Sequence, residues 1–284
     1  MNSLFYPTLL LCVMLLWLWR VAQHGRQQRK DLLYYGMRVA RQSLELILLT
    51  QQHRGLINTQ LKGQIDLHRD IEQRRKSIEE VLSHITHFLK ENDCLRAIME
   101  PADIDLYRQD WHALLKAIDS GLTASAAFKR HTVMITRPMN WLAQLGQHTQ
   151  DLPATSLADK ARLNLVFHTL PILAELLAQI RGIGSGMVAL GKSDVMERHQ
   201  LLQLRKKALL LLATANTLPP DQIGKVHVFL SNVPNLWAED PDKAITPLVY
   251  FAQATEAIDT VFAMIAGLLG EPDTVMQAEF SARY

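Results

Sequence analysis

Apolar residues recur every three or four positions along most of the chain after residue 30, which is the spacing of one buried face of an α-helix. Between residues 70 and 92 this stripe consists of Ile71, Ile78, Leu82, Ile85 and Leu89. The sequence contains no convincing alternation of β-branched and polar residues bounded by turns, which is the pattern of a strand. The sequence therefore predicts an all-α protein.

Glycine and proline positions divide the helical pattern into about eight or nine helices. The breaks are expected at Glu100–Pro101, Ser120–Gly121, 146–153, 191–193, 218–220 and 240–241. Long helices with short connections are typical of antiparallel bundles. We predict a transmembrane anchor over residues 1–22, a first helical bundle with a linker over 23–150, and a second helical bundle over 151–284.

The anchor is predicted from the first nineteen residues, which contain no charged side chain, and Leu9–Trp19 is uninterrupted apolar sequence. A helix of this length spans about 28 Å, enough for the hydrocarbon core of a bilayer. The stretch has neither the basic start nor the small-residue cleavage site of a secretory signal peptide. A single-pass transmembrane helix is favoured over a buried helix of a soluble protein.

Basic residues follow the apolar run but do not precede it. They are Arg20, Arg26, Arg29 and Lys30. The positive-inside rule therefore predicts that the soluble part lies in the cytoplasm. The opposite topology, with a periplasmic soluble part, remains the alternative.

Composition argues against several classes of function. The net charge is +2, from 30 basic and 28 acidic residues. This balance does not suggest the clustered excess of basic residues with which proteins bind nucleic acids. Cys12 and Cys94 lie far apart and suggest neither a disulfide framework nor a metal pair. No nucleophile–base motif is present, so we predict a non-catalytic protein without cofactor or metal. A helical row of acidic and histidine side chains is expected to face solvent: Glu80, His84, His87 and Glu91.

The sequence QxRG occurs twice, as QHRG at 52–55 and as QIRG at 179–182. A helical count places Arg54 and Arg181 on inward-facing sides of their helices. A buried guanidinium needs an internal carboxylate, water or a bound anion, and its planar fork matches planar oxyanions. Neither arginine has an acidic residue three or four positions away. A salt bridge to an acid on a neighbouring helix is the structural alternative.

The segments around the two motifs are alike over a longer stretch. Residues 44–63 and 170–191 each give a leucine-rich helix, then QxRG, then a small-residue stretch ending in glycine. Each segment is followed by a basic cluster, EQRRK at 72–76 and LRKK at 204–207. We interpret this as an internal duplication, with chance similarity as the alternative.

These motifs, the pair His131–Thr132 and the run at 167–207 resemble the nitrate- and nitrite-sensing domain of bacterial regulators and receptors. The resemblance implies an all-helical domain of two bundles that holds the anion between them with arginines from both. Carried over by position, Arg54 and Arg181 are the expected anion ligands. Three neighbours are secondary candidates: His53, Gln51 and Gln179.

Two positions differ from the pattern of that family. Its first motif can carry adjacent arginines, whereas His53 precedes Arg54 here. A late arginine of the second bundle has no counterpart, because no arginine occurs between Arg205 and Arg283. The sequence also contains no recognisable output domain. We therefore expect an anion sensor of the bacterial inner membrane that signals through a partner protein or as a homodimer. The alternative is a non-catalytic scaffold or accessory subunit of an inner-membrane assembly with a degenerate sensor fold.

Overall fold

The computed structural model describes residues 5–62, 67–96, 98–150, 157–190, 194–215, 218–237 and 245–270. These ranges contain nine α-helices and no strand, which confirms the all-α prediction. The helices are α1 (Phe5–Leu61), α2 (His68–Glu91), α3 (Pro101–Asp119), α4 (Ala124–Gln150), α5 (Leu157–Asn164), α6 (Leu170–Leu190), α7 (Val195–Thr214), α8 (Pro220–Asn232) and α9 (Pro247–Leu269). Two 3₁₀ turns, Asp93–Leu95 and Val233–Trp237, and a π turn, Leu165–Thr169, complete them.

The helix starts follow from local sequence signals. Glu100 and Asp103 form a capping box around Pro101, the first residue of α3. Asp194 caps α7 by accepting a hydrogen bond from the Met196 amide. On α2 the predicted apolar stripe is buried, and the four acidic and histidine side chains expected to face solvent are exposed.

The described helices enclose one continuous apolar core. Helix α1 packs along α2 and α4, and α3 covers α2 and α4. Helix α6 packs along α7 and α9, and α8 covers α7 and α9. Contacts of α1 with α6, and of α4 with the π turn, join these two sets of helices. The domain boundary near residue 150 stays a prediction.

Helices α5 and α6 form one helical path through the π turn at Leu165–Thr169. The Leu170 amide bonds to the Leu165 carbonyl, five residues back. The next residue, Pro171, has no N–H to donate, and in a regular α-helix its ring would clash with the carbonyl four residues earlier. The wider turn therefore lies where a regular α-helix would be unfavourable. On the α6 side of this path, Glu175 contacts α1 and Arg181 contacts α9.

The C-terminus of α9 is fixed to two other helices by arginine side chains. Arg162 of α5 donates to the Leu268 carbonyl, with its Nε at 2.8 Å, and Arg41 of α1 donates to the Gly270 carbonyl. Gly270 has a positive φ of 64°, which glycine adopts more readily than other residues. These bonds satisfy carbonyls left open at the helix end.

Helix α1 extends beyond the packed part of the molecule at its N-terminal end. The apolar side chains of 13–19 and Val21 are exposed on all sides, with Trp17 and Trp19 each more than 60% exposed. The helix then continues without a break to Leu61, so the predicted anchor and the first packed helix are one element of 57 residues. Residues 1–4 of the predicted anchor lie outside the described part.

Within the described ranges two helical stretches are long and apolar enough to cross a membrane by length and composition alone, Lys160–Val188 and Val249–Leu269. The N-terminal part of α1, where the anchor is predicted, is not one of them. Most of the first stretch is buried inside the protein, and both supply residues of the apolar core. Packing against the other helices therefore explains the hydrophobicity of the first stretch, whereas only 39% of the second is buried.

Candidate functional site

The first QxRG motif, on α1, meets the His131–Thr132 pair of α4. His53 Nδ1 lies 2.8 Å from His131 Nε2, and Arg54 Nη1 donates to Thr132 Oγ1 at 2.8 Å. The Arg54 guanidinium also lies over the ring of Phe128, 4.8 Å from its centroid. His53 and Arg54 of α1 thus contact His131 and Thr132 of α4, respectively. These contacts fix the register between the two helices.

Arg54 is fully buried and forms an ion pair with Glu175 of α6. Its Nη1 lies 2.6 Å from Oε1 and its Nη2 lies 3.1 Å from Oε2, so the two planar groups meet edge to edge. Only 2% of Arg54 and 5% of Glu175 are exposed. The structural alternative predicted for this arginine, an acid on a neighbouring helix, is therefore present in the structure.

Two glutamines complete the surroundings of Glu175. Gln51 Nε2 donates to Oε2 at 2.9 Å and Gln179 Nε2 donates to Oε1 at 2.8 Å. With the two bonds from Arg54, four N–H donors converge on one carboxylate. A buried charge requires hydrogen-bond partners of this kind. Removing one partner of a buried ion pair typically lowers the stability by about 3–5 kcal/mol.

Arg181, from the second motif, is half-buried and has a different environment. Its Nη1 donates to Thr255 Oγ1 of α9 at 3.3 Å, and its guanidinium lies 5.3 Å from the ring centroid of Phe251. Burial, and next the charge of Arg54, lower the pKa of Arg181. Among the described residues no carboxylate forms an ion pair with it. Its charge is therefore compensated less completely than that of Arg54.

The two arginines occupy sites of the same composition. The first arginine site comprises Arg54, Phe128 and Thr132, and the second comprises Arg181, Phe251 and Thr255. In each site the phenylalanine precedes the threonine by four residues, one helical turn, so both face the same arginine. This correspondence agrees with the predicted duplication and extends it to α4 and α9.

His53 does not join the residues around Glu175. Its ring points to His131 and packs edge-on against Trp111, with ring centroids 4.8 Å apart. His131 Nδ1 bonds to the Ala127 carbonyl, so its Nε2 accepts from His53 Nδ1. Burial, and next His131, lower the pKa of His53 to about 2. His53 is therefore neutral near neutral pH and supplies no positive charge to an anion.

The glycines of the second motif region allow close helix packing. A side chain at Gly182 would collide with Phe128, and one at Gly184 would collide with Tyr250. The Tyr250 hydroxyl donates to the Ile180 carbonyl at 2.8 Å and lies directly over Gly184. Residues 182–186 are thus a close-packing stretch within α6, which continues to Leu190.

Of the five predicted ligand residues, the structure gathers Arg54, Gln51 and Gln179 around one point, with Arg181 close enough to interact electrostatically. Glu175, at the centre, was not predicted. It is the sole Asp, Glu, Lys or Arg between residues 163 and 180. An isolated acid in an otherwise apolar helix is a signal that could have identified it, because such a charge needs a partner.

This fold also occurs in a protein of known structure. No family model matches the chain, and no curated protein sequence matches it. Among solved structures, that of the NasR transcription antiterminator matches with a TM-score of 0.67 and 19% sequence identity. The match covers 95% of this chain and 77% of that one. At this identity the similarity establishes a shared fold.

Proposed function

We propose that this protein is a membrane-anchored, non-catalytic sensor module that binds a small oxyanion at its two arginine sites and signals through a protein partner. The observation that carries the proposal is that the two motif arginines, Arg54 of α1 and Arg181 of α6, lie close enough to interact electrostatically. Arg54 and Arg181 occupy sites of the same composition, and the charge of one lowers the pKa of the other. Two like charges near each other in a partly buried place favour a negative charge between them, which Glu175 supplies in this structure and which we propose an oxyanion can supply in its place.

Nitrate and nitrite are the oxyanions we propose. Both are planar, and a guanidinium can bind two of their oxygens with two parallel N–H donors. The QxRG motifs and the His131–Thr132 pair resemble those of the nitrate- and nitrite-sensing family. The fold shared with the NasR transcription antiterminator is consistent with that resemblance.

The proposed membrane connection rests on α1. Exposed apolar side chains surround its helix from residue 13 to residue 21, where water is an unfavourable environment and lipid a favourable one. The same helix carries Gln51 and Arg54, about 48 Å further along at roughly 1.5 Å per residue. We propose that a change at Arg54 is transmitted along this continuous helix toward the bacterial inner membrane, with the soluble part in the cytoplasm.

Calorimetry on the full chain in detergent, titrated with sodium nitrate and sodium nitrite, tests the proposal. Binding heat is expected for the wild type and should vanish in Arg181→Gln. Arg96→Gln is the matched control, because Arg96 is exposed and lies in a surface pair with Asp93. Absence of binding to either anion, or equal binding by Arg181→Gln, would contradict the sensor function.

A second candidate is an accessory subunit of an inner-membrane assembly that has retained the fold but binds no anion. The ion pair of Arg54 with Glu175 favours it, because the charge of this arginine already has an internal partner. Affinity purification from native membranes separates the two. A stoichiometric partner whose yield is insensitive to nitrate, together with no calorimetric signal, would support the accessory role.

A further inference from the structure

We infer that Glu175 is the resident ligand of Arg54, a carboxylate from the chain itself that an incoming oxyanion must displace. This inference rests on the proposed function because it concerns the same site. It assigns Glu175 a defined role, that of setting the affinity of the first arginine site.

The geometry around Glu175 is that of a ligand in a binding site. Its two oxygens accept four N–H bonds of 2.6 to 3.1 Å from Arg54, Gln51 and Gln179. A carboxylate and a nitrate ion are both planar and negatively charged, and each can present two oxygens to a guanidinium edge. The donors that hold Glu175 are therefore the donors that a nitrate ion would need.

The second arginine site provides an internal comparison. It repeats the threonine and the phenylalanine of the first site, but the described residues place no carboxylate within ion-pair distance of Arg181. The carboxylate is thus what distinguishes the two sites. In the first site the anion position is filled from α6, whereas the carboxylates that act on Arg181, Asp259 and Glu175, do so from beyond ion-pair distance.

In this arrangement an oxyanion binds Arg54 by taking the place of the Glu175 carboxylate. Glu175 belongs to α6 and Arg54 to α1, so the pair ties two helices that otherwise share few contacts. An oxyanion that takes the Arg54 edge releases the Glu175 carboxylate from α1. Ligand occupancy then changes a bond between the membrane-connected helix and the rest of the protein, which is what a sensor requires.

Removing the competing charge should raise the affinity for oxyanions. In Glu175→Gln the Arg54 charge has no carboxylate partner, so we expect the full chain in detergent to bind nitrate at least about tenfold more tightly than the wild type, which is about 1.4 kcal/mol. The double variant Arg54→Gln/Glu175→Gln removes both charges and should lose this gain. Chloride at equal ionic strength controls for screening.

Glu175→Gln leaves a buried charge without its partner, so folding is followed at the same time. Thermal unfolding monitored by circular dichroism should show that nitrate raises the Tm of Glu175→Gln more than that of the wild type, and that it does not do so for the double variant. If Glu175→Gln folds only in the presence of nitrate, the inference is supported when the double variant Arg54→Gln/Glu175→Gln gains no stability from nitrate.

The outcomes separate the inference from the proposed function. Nitrate binding by the wild type with no gain in Glu175→Gln would overturn the resident ligand and leave the sensor function standing. Binding by Glu175→Gln alone would support the resident ligand and contradict sensing by the wild type. No binding by either protein, with both folded, would overturn both.

Discussion

Arg54 and Glu175 lie 121 residues apart in the sequence and meet through two charge-assisted hydrogen bonds of 2.6 and 3.1 Å. The pair is buried; Thr132 accepts a further hydrogen bond from Arg54, and Gln51 and Gln179 each donate one to Glu175. An ion pair of this kind contributes little net stability when compared with apolar residues, but it strongly penalises the loss of one partner. The following predictions distinguish these effects from those of packing and protonation.

Breaking the pair from either side should cost more than removing it altogether. Arg54→Met and Glu175→Met each leave one buried charge, and each should lower the free energy of unfolding by about 3–5 kcal/mol in anion-free buffer. The double variant Arg54→Met/Glu175→Met should be closer to the wild type. Urea unfolding of the four proteins measures the coupling, and additive losses would show that the two side chains do not act as a pair.

The glycines of the two motif regions should respond oppositely to alanine. Gly184→Ala places a methyl group against the Tyr250 hydroxyl and should cost about 1–3 kcal/mol. Gly55→Ala meets no atom within 4 Å in the middle of α1 and should stabilise the protein by about 0.5–1 kcal/mol. Tyr250→Leu in the Gly184→Ala background removes the ring that the methyl group meets and should therefore cost less than the sum of the two single substitutions. Denaturant midpoints of the matched variants test this, and a cost for Gly55→Ala would be unexpected.

Acid should destabilise the fold through the two buried histidines. Burial lowers the pKa of His53 to about 2 and that of His131 to about 4, from 6.5 in both cases. Below pH 6.5 the unfolded chain binds protons that the folded protein does not, so stability falls as the pH falls. Each histidine contributes a slope of up to about 1.4 kcal/mol per pH unit, which ends near pH 4 for His131 and near pH 2 for His53.

Urea unfolding between pH 7 and pH 4.5 measures this slope. His53→Gln/His131→Gln should flatten it, and His87→Gln is the control because His87 is exposed on α2. An equal slope in the double variant and in the wild type would assign the acid sensitivity to other groups.

The N-terminal segment should determine membrane association. Deletion of residues 1–22 is expected to release the protein from the membrane pellet, since the exposed apolar side chains of α1 lie mainly there. A reporter enzyme fused after Tyr284 reports the orientation. Activity of a cytoplasmic reporter is expected from the basic residues that follow the apolar run, and activity of only a periplasmic reporter would reverse the topology.

Helix content was accessible from the sequence because apolar periodicity and capping residues act locally. The stripe of α2 is an example. The inward direction of Arg54 followed from the same helical count. Its partner could not be deduced in this way, because Glu175 approaches from another helix and the contact depends on how α1 and α6 pack.

The orientation of His53 also depended on tertiary structure. It precedes Arg54 in the motif, but a step of about 100° along the helix turns it toward His131 and Trp111. The match between Phe128–Thr132 and Phe251–Thr255 was likewise visible in the sequence, though its meaning was not. Only the packing of α4 and α9 against the motif helices shows that each pair contacts one arginine.

The most direct test of anion exchange at Arg54 is a crystal structure of the full chain in detergent, grown with nitrate at saturating concentration. We predict planar density between Arg54 and Arg181, within hydrogen-bond distance of the Arg54 guanidinium, with the Glu175 carboxylate turned away from it. An unchanged Arg54–Glu175 pair, with no nitrate at either arginine, would contradict it.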